Sequence, residues 1–422
     1  MPLPVDIAII GAGAAGLAAG IFAAETNTNL RIIILDGAKT LGAKILVSGG
    51  GRCNVTNQQV KASDFHGNRK VIDRILRRFN EQATVQWFTS LGVPLQTETT
   101  GKLFPVSKKS RTVLAALLRR CEELSIRLLT QHHVHSITHQ QQFFVIQHSQ
   151  GELQARQLIL ATGGCSLPKT GSDGSGWDLA QHLGHVMNPT YPALVPLLLD
   201  PSFFHADLSG ISHDVMLTTT VAGKTIDRQT GSLLWTHFGI SGPVVLDASR
   251  FWVCATAQGK DVQLHLNCFP QATHKEIETW LIQAAALHGK KTVQTVLAKR
   301  LPTRVATRFA QYVEPDISQL PVNRLQKDVR NALVHTLTNL PLPVIGSRGW
   351  NFAEVTAGGV PLKEIKPSTM ASQKVPGLYL IGEMLDCDGR IGGFNFQWAW
   401  STGHIAGTSA AHALKEGPSQ AP

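Results

Sequence analysis

The stretch from Val5 to Glu25, VDIAIIGAGAAGLAAGIFAAE, restricts the fold more than any other part of this chain. Val5 to Ile10 read as a buried parallel strand, Gly11-x-Gly13-x-x-Gly16 interrupts it, and an alanine-rich helix runs on to about Ala24. The three glycines do different mechanical work. The first permits the tight turn, the second lets a pyrophosphate approach the backbone, and the third lets helix and strand pack closely. The first helical turn, with Ala14 and Ala15, then presents free N–H groups and the positive end of the helix dipole to the phosphates. A second strand, Arg31 to Leu35, ends in Asp36, 20 residues after Gly16. A carboxylate there accepts both ribose hydroxyls and repels a 2′-phosphate. Alone, G-x-G-x-x-G is a weak signal; with strand, helix and spaced acid it predicts a bound dinucleotide, NAD and FAD both remaining open.

The same stretch imitates a membrane segment, because Ile7 to Ala24 carries no charge. It has no basic residues ahead of it, Asp6 standing in their place, and its glycines divide it into a β-branched run and an alanine-rich run. Neither a membrane span nor a targeting peptide is expected. With 422 residues, 43% hydrophobic and 16% charged, the chain has the profile of a globular protein of two or three domains. Only the ends look frayed, KEGPSQAP at 415–422 above all. The formal charge of +10 would suit an anionic partner, yet it is scattered in pairs such as Arg77-Arg78 and Lys290-Lys291, the pattern of solvated helix faces. The six cysteines show no C-x-x-C spacing, which argues against a structural zinc site and for reduced thiols in the cytoplasm.

Three further segments favour FAD. In GLYLIGEMLDCDGRIGGFNFQWAWSTGHIAG, a strand from Leu378 to Ile381 runs into Gly382-Glu383, and Gly392-Gly393 opens a long helix. A carboxylate at such a strand end can bind flavin ribitol hydroxyls, and the helix N-terminus can face the pyrimidine edge where negative charge gathers on reduction. Gly403 and Gly407, four apart, are expected to let that helix lie close on the sheet. A strand from Gln157 to Ala161 ends in Thr162-Gly163-Gly164, again baring backbone. Before it, a helix capped by Ser110 leads to strands around 126–129, 134–137 and 143–147, a small β-meander after a Rossmann half. The third segment is SGGGRCN, from Ser48 through Gly49, Gly50 and Gly51 to Arg52, Cys53 and Asn54. No Gly-Lys-Ser/Thr follows, so it is not a Walker loop.

Together, ILVSGGGRCNVTN, GKLFPVS, ATGG, PKTGSDGSGWDLAQHLGH, PALVPL, LWTHFGISGPVVLDASR, FAEVTAGGVPLKEI and the C-terminal stretch resemble the BaiN-like family of FAD-dependent oxidoreductases nearly end to end. That family includes proteins described as aminoacetone oxidases and bile-acid reductases, and the layout is similar, more distantly, to fumarate reductase flavoprotein subunits. The resemblance implies an α/β fold: a Rossmann-type FAD-binding domain with parallel sheet and β-meander, holding an inserted β-rich module and helical cap. It implies non-covalent FAD, with NAD(P)H as a possible transient co-substrate. It also places Ser48 to Gly51 as backbone donors near phosphates and isoalloxazine, with Arg52 neutralising charge and Asn54 fixing the loop. Gly37, Lys44, Asp386, Phe394 and Asn395 belong to the same cofactor set, and Val134 offers its backbone to adenine. Cys53 has two readings, a flavin-facing thiolate favoured by Arg52 or a small buried cysteine.

The texture changes between about 190 and 375. The expected division is 1–190 for the first part of the FAD domain, 191–270 for a β-rich substrate module, 271–343 for a helical cap, 344–373 for a return to β-rich structure, and 374–422 for the closing part of the FAD domain. Thr236-His237-x-Gly239-x-Ser241-Gly242-Pro243 is the candidate wall of a substrate cleft, and His237 either shuttles a proton or braces a loop. His132, His133 and His135 lack an identifiable third ligand, so no metal is expected. Arg304 and Arg308, one helical turn apart, read as a solvated face. The expected function is an FAD-dependent oxidoreductase acting on a small organic substrate, with NAD(P)H or oxygen as electron partner and no membrane. Nucleic acid is the less favoured partner. The alternatives are an FAD-using RNA-modifying transferase and a flavin-bound redox sensor without turnover. No sequence feature addresses oligomeric state.

Overall fold

A computed structural model describes residues 4–140 and 142–415. Of the tail expected to fray, 415–422, Lys415 closes the last helix and 416–422 lie outside the described residues, as do the first three residues and residue 141. The chain forms two compact units, one from 1–191 with 355–422 and the other from 192–354.

The first unit is built on a seven-stranded sheet of described residues. Strand β1 (Val5–Ile10) leads through the glycine turn into helix α1 (Ala14–Thr26) and strand β2 (Ile32–Leu35). Helix α2 (Ala43–Gly51) and helix α3 (Ser110–Glu123) precede strand β3 (Arg127–Leu129). A meander follows, β4 (Val134–Gln140), β5 (Phe143–His148) and β6 (Gly151–Leu160), then helix α4 (Ser175–His182). After the insertion come strand β7 (Val355–Gly359), strand β8 (Leu378–Leu380) and helix α5 (Phe394–Lys415). The sheet order is β3-β2-β1-β6-β5-β4, with β8 also on β6. β6 serves two partners on one edge, since its first half pairs antiparallel with β5 (Leu153 opposite Ile146) and its end pairs parallel with β8 (Leu160 opposite Leu380). The parallel centre is registered Ile9 to Ile34 and Ile9 to Ile159, all three fully buried. This explains why these strands are continuous apolar runs while the meander strand β4 alternates with polar residues.

Two expectations about local packing need correction. Ser110 is the first residue of α3 and not its cap; its hydroxyl donates to the Leu46 carbonyl instead, tying α3 to α2. Gly403 and Gly407 pack α5 against α1, not against the sheet: a Cβ on Gly407 would lie 2.2 Å from the Ala19 carbonyl oxygen, and one on Gly403 2.7 Å from that of Ala15. The period of four was visible in the sequence, but the partner, nearly four hundred residues away, was not.

The second unit carries an antiparallel sheet whose strands run in the order 340–342, 262–267, 212–221, 224–236, 239–241, 197–199 and 344–347. The helix Pro243–Ala257 follows directly from the T-H-F-G-I-S-G-P segment, with Pro243 at its start. The helices His274–His288, Thr303–Val313 and Lys327–Asn339 belong to this same unit. Expected module and cap are thus one body, and residues 355–373 lie with the first unit. Phe204, Trp235 and Phe309 form its aromatic centre, Trp235 and Phe309 being fully buried. Arg304 and Arg308 are not a free basic face, since Arg304 donates to the Asp207 carbonyl and Arg308 pairs with the Asp207 carboxylate at 3.0 Å.

Candidate functional site

The glycine turn of β1 and α1 is shaped by contact. Gly11 has φ 102°, and a Cβ there would lie 2.4 Å from the Ala161 carbonyl oxygen, so the turn abuts the end of β6. Gly16 would meet the Gly11 carbonyl at 1.9 Å, whereas Gly13 faces open space with nothing within 4 Å. No side chain caps α1, which leaves its N-terminal turn, Ala14 and Ala15 included, free to receive a ligand. Asp36 stands beside it. One carboxylate oxygen accepts from the Ala12 N–H and the other from the Ala38 N–H, each at 2.8 Å, so the acid is fixed at the rim of the turn. Gly37 packs against the His133 ring, and buried Val134 begins β4 just beyond.

The S-G-G-G segment is the broken end of α2. Ser48 is extended, and Gly49, Gly50 and Gly51 have φ of 55°, 68° and 82°, a run of left-handed backbone that side chains would strain. Gly50 again faces open space. Arg52 pairs with Glu98 at 2.6 Å, lies 4.1 Å from the Phe104 ring centre and donates to the Gly49 carbonyl. The arginine therefore holds the loop, the part expected of Asn54, while the Asn54 side-chain oxygen is buried without a partner. Cys53 is fully buried, and burial pushes its thiol up to about 12 against a smaller opposing effect of Ser48. This favours the buried-cysteine reading over the thiolate.

A polar knot joins the remaining segments. Lys44 Nζ lies 2.5 Å from both Glu383 Oε2 and Ser166 Oγ. Ser166 Oγ donates to Glu383 Oε1 at 2.7 Å, and the Thr356 N–H donates to the same oxygen at 3.0 Å. Thr356 Oγ1 in turn accepts from the Cys165 and Ser166 N–H groups. Gly164 is small because a Cβ would meet Thr356 Oγ1 at 2.4 Å. Next to it Gly163 is left-handed, and Thr162 Oγ1 is buried without a partner. Gly382, with φ 71°, faces Ala15 of α1; its N–H donates to Thr402 and its carbonyl accepts from Trp398. At the start of α5, Gly392 and Gly393 have φ of 137° and 91°, and a Cβ on Gly393 would lie 2.9 Å from the orphaned Asn54 oxygen. Phe394 is wholly buried under Arg390, Asn395 is consumed by both backbone groups of Gly389, and Asp386 accepts from Asn188.

Contacts therefore link Asp36 to the glycine turn, the turn to Ala161-Thr162 and Gly382, Glu383 to Lys44 and Ser166, and Gly393 to Asn54, all within the first unit. Sequence reasoning missed Ser166 and Thr356, since ordinary hydroxyl residues give no signal until the fold brings them to a carboxylate. It also missed a second buried cluster, in which His185 Nδ1 lies 3.0 Å from Glu364 and its Nε2 2.9 Å from Ser372 Oγ. Burial lowers the His185 pKa against the pull of Glu364, in this tie between the end of α4 and the approach to β8. His237 lies in the second unit, exposed between strands 224–236 and 239–241, with the Phe238 ring edge-on at 5.1 Å. His132 and His148 face each other at 4.9 Å and His133 and His135 at 5.1 Å; among the described residues, no three potential metal ligands stand together.

The family model described as "HI0933-like protein Rossmann domain" matches residues 5–409. The chain belongs to this family. The HI0933-like family includes flavoprotein oxidoreductases, and the resemblance read from the motifs is borne out. The chain is 32% identical over 410 residues to a 3-dehydro-bile acid delta(4,6)-reductase of Clostridium scindens, covering 96% of this chain and 98% of that protein. It is 33% identical over 401 residues to a ribosomal RNA dihydrouridine synthase of Escherichia coli, covering 94% and 96%. Among solved structures, E. coli quinol fumarate reductase FrdA aligns with a TM-score of 0.52 at 16% identity, over 99% of this chain and 72% of that one. A 3-ketosteroid delta1-dehydrogenase of Sterolibacterium denitrificans aligns with a TM-score of 0.52 at 13% identity, over 97% and 100%. These two share the fold. No helix of the described residues is long and apolar enough to cross a membrane.

FAD fits the site. Two buried acceptors lack partners, Asn54 Oδ1 and Thr162 Oγ1, and two glycines, Gly13 and Gly50, face open space. A ligand that brings hydroxyl and N–H donors to that rim would relieve the desolvation cost of both orphaned atoms.

Proposed function

We propose that this protein is an FAD-dependent reductase that adds two hydrogens across a carbon–carbon double bond conjugated to a carbonyl. One observation carries the reading: the C. scindens and E. coli relatives, similar over nearly the whole chain, bear names that describe this same chemistry on different molecules. A 4,6-unsaturated 3-oxo steroid and the uracil ring both offer an electrophilic carbon β to a carbonyl.

A flavin bound here would supply the hydride transfer. The chain's part is to hold and orient it: Asp36 for the ribose, the N-terminus of α1 and Gly50 for the phosphates, Glu383 and Lys44 beside the ribitol, Asn54 and Gly393 at the pyrimidine edge. Because Glu383 is already tied by Lys44, Ser166 and Thr356, it is a preorganised acceptor whose geometry needs no adjustment on binding. His237 is the candidate proton donor to the substrate carbon next to the carbonyl. NAD(P)H would act as a visiting reductant, and six cysteines without any C-x-x-C spacing support a reducing, cytoplasmic setting.

The test is anaerobic. Holoenzyme reduced with NADPH is mixed with a 4,6-unsaturated 3-oxo steroid acid, with uridine-rich ribosomal RNA fragments, and with oxygen. The reading requires reoxidation of the flavin by at least one of the first two, with a product heavier by two hydrogens; reoxidation by oxygen alone rejects it. The substrate we favour is a small organic molecule. A second reading, uracil within RNA, draws on the formal charge of +10 and the E. coli relative, and it calls for reduction where the motif-based alternative was group transfer. It predicts RNA binding that weakens steeply with salt. A redox sensor without turnover is separated from both by steady-state NADPH consumption.

A further inference from the structure

Gln397 stands in the first turn of α5, and its backbone N–H makes the first internal bond of that helix, to the Gly393 carbonyl at 3.0 Å. The N–H groups ahead of it have no acceptor within the helix, and the positive end of the helix dipole sits there. The Gln397 side chain is fully buried, and both of its amide atoms are saturated. Oε1 accepts from Thr56 Oγ1 at 2.6 Å and from Thr84 Oγ1 at 2.9 Å, while Nε2 donates to the Phe79 carbonyl at 2.9 Å and to Ser401 Oγ at 3.1 Å. A carbonyl only accepts, so the amide has a single orientation and both threonine hydroxyls must donate.

One amide thus joins the start of α5 to the short strand Thr56–Asn57 and to the helix Glu81–Ser90. Two more bonds run alongside it: Trp400 Nε1 donates to the Val55 carbonyl at 2.9 Å, and Asn57 Nδ2 to the Gly392 carbonyl at 3.0 Å. The backbones meet so closely that a Cβ on Gly393 would lie 2.5 Å from the Thr56 carbonyl oxygen. Packing alone does not call for this residue, because leucine would fill similar space without the cost of burying an amide. A saturated polar network instead holds the elements it joins in one arrangement. What it holds here is Asn54, two residues before Thr56, against the helix N-terminus. Asn54 is 8% exposed, and its unpartnered Oδ1 would lie 2.9 Å from a Cβ on Gly393. An acceptor beside free N–H donors is complementary to the imide edge of a flavin, an N–H between two carbonyls.

We infer that Gln397 is a positioning residue for the flavin: it holds the N-terminal turn of α5 against the Asn54 segment and so sets how strongly the helix end favours the reduced, anionic ring. All its side-chain bonds are to protein, so it acts through the helix and not by contact. The inference rests on FAD bound with its pyrimidine edge at this corner, and it does not depend on which substrate is reduced.

The experiment reads the ratio of reduced to oxidised flavin in FAD-loaded protein equilibrated anaerobically with a redox dye. Gln397→Leu should lower that ratio about 2- to 30-fold at a fixed dye potential, the span of a helix end acting on an anion. Thr84→Val removes one donor to the amide and should move the ratio the same way by less; Thr84→Ser keeps the hydroxyl and should restore it. Ile137→Ala is the control, since it empties core space in the meander strand β4, lowers the melting temperature and should leave the ratio unchanged. If Gln397→Leu does not fold or retain FAD, the Thr84 pair carries the comparison, and an unshifted Thr84→Val then overturns the inference. It is also overturned by a ratio indifferent to Gln397→Leu with FAD bound, by a Thr84→Val shift that serine does not restore, or by an equal shift in Ile137→Ala. Wild-type protein that takes up no FAD removes both the inference and the cofactor reading beneath it. No enone enters the experiment, so an indifferent Gln397 leaves the double-bond reductase reading standing, and failure of that reading leaves this ratio unaltered.

Discussion

Replacing Gly407 by alanine sets two calculable effects against each other. Alanine in the interior of α5 gains about 1 kcal/mol of helix propensity over glycine. Its Cβ, however, would stand 2.2 Å from the Ala19 carbonyl oxygen of α1, where real Cβ atoms keep at least 3.0 Å. The obstacle is backbone of a buried helix, so it cannot rotate away, and α1 and α5 must part by roughly 1 Å. Overpacking of this kind costs about 1–3 kcal/mol, and a backbone obstacle belongs at the upper end. The expected net loss is about 2 kcal/mol, a fall in melting temperature of about 4–8 °C for a unit of this size. Gly20 is the control. A Cβ there would meet the Ile34 Cδ1 methyl at 2.8 Å, a side-chain end that can turn, so Gly20→Ala should be near neutral. Differential scanning calorimetry on FAD-saturated protein reads both. Because α5 begins at the Gly393 corner of the site, Gly407→Ala should also weaken FAD binding. A Gly407→Ala protein as stable as wild type, or no different from Gly20→Ala, would refute the argument that close helix contact requires this glycine.

Three other outcomes follow from the same geometry. Glu383→Gln keeps acceptors for Ser166 and Thr356 but sets an amide against the Lys44 ammonium, losing a charge-assisted bond worth about 1.5–3 kcal/mol; urea unfolding should show the loss, and FAD affinity should fall with it. Cys53, with its thiol near 12, should resist iodoacetamide in native protein at neutral pH while reacting freely in urea, and Cys53→Ala should retain FAD; rapid native alkylation would contradict the burial reading. His404 is wedged between Phe22 and Phe79, and burial, helped by Arg78, lowers its pKa to about 4. Below an unfolded pKa of about 6.5 the unfolded chain binds the proton and the folded one does not, so stability falls with pH from there down to about 4. His404→Leu should flatten that slope in a pH series of thermal melts.

What the sequence disclosed was what lies close together along it. The strand, turn and helix from Val5 to Thr26, the acid at Asp36 and the glycine pairs at 163–164 and 392–393 are local patterns, because backbone bared for a ligand or a close helix leaves glycine at fixed spacing. Arg52 shows where this stops. The resemblance implied only that its charge meets phosphate or flavin, while its contacts with Glu98 and Phe104, folded back from the next hairpin, had no signal in the sequence. Lys44, Ser166, Thr356 and Glu383 form one knot from four segments, and no period or spacing relates them. Gly407 was recognised as a packing glycine and assigned to the wrong surface for the same reason.

The claim that all else rests on is that these scattered segments of the first unit enclose a single FAD. Titration of flavin-depleted protein with FAD, following quenching of flavin fluorescence, tests it most directly. The account predicts saturation at one FAD per chain, with affinity sharply reduced in Asp36→Ala and in Gly13→Val. Failure of the wild-type chain to bind FAD, or affinity indifferent to both substitutions, would contradict it.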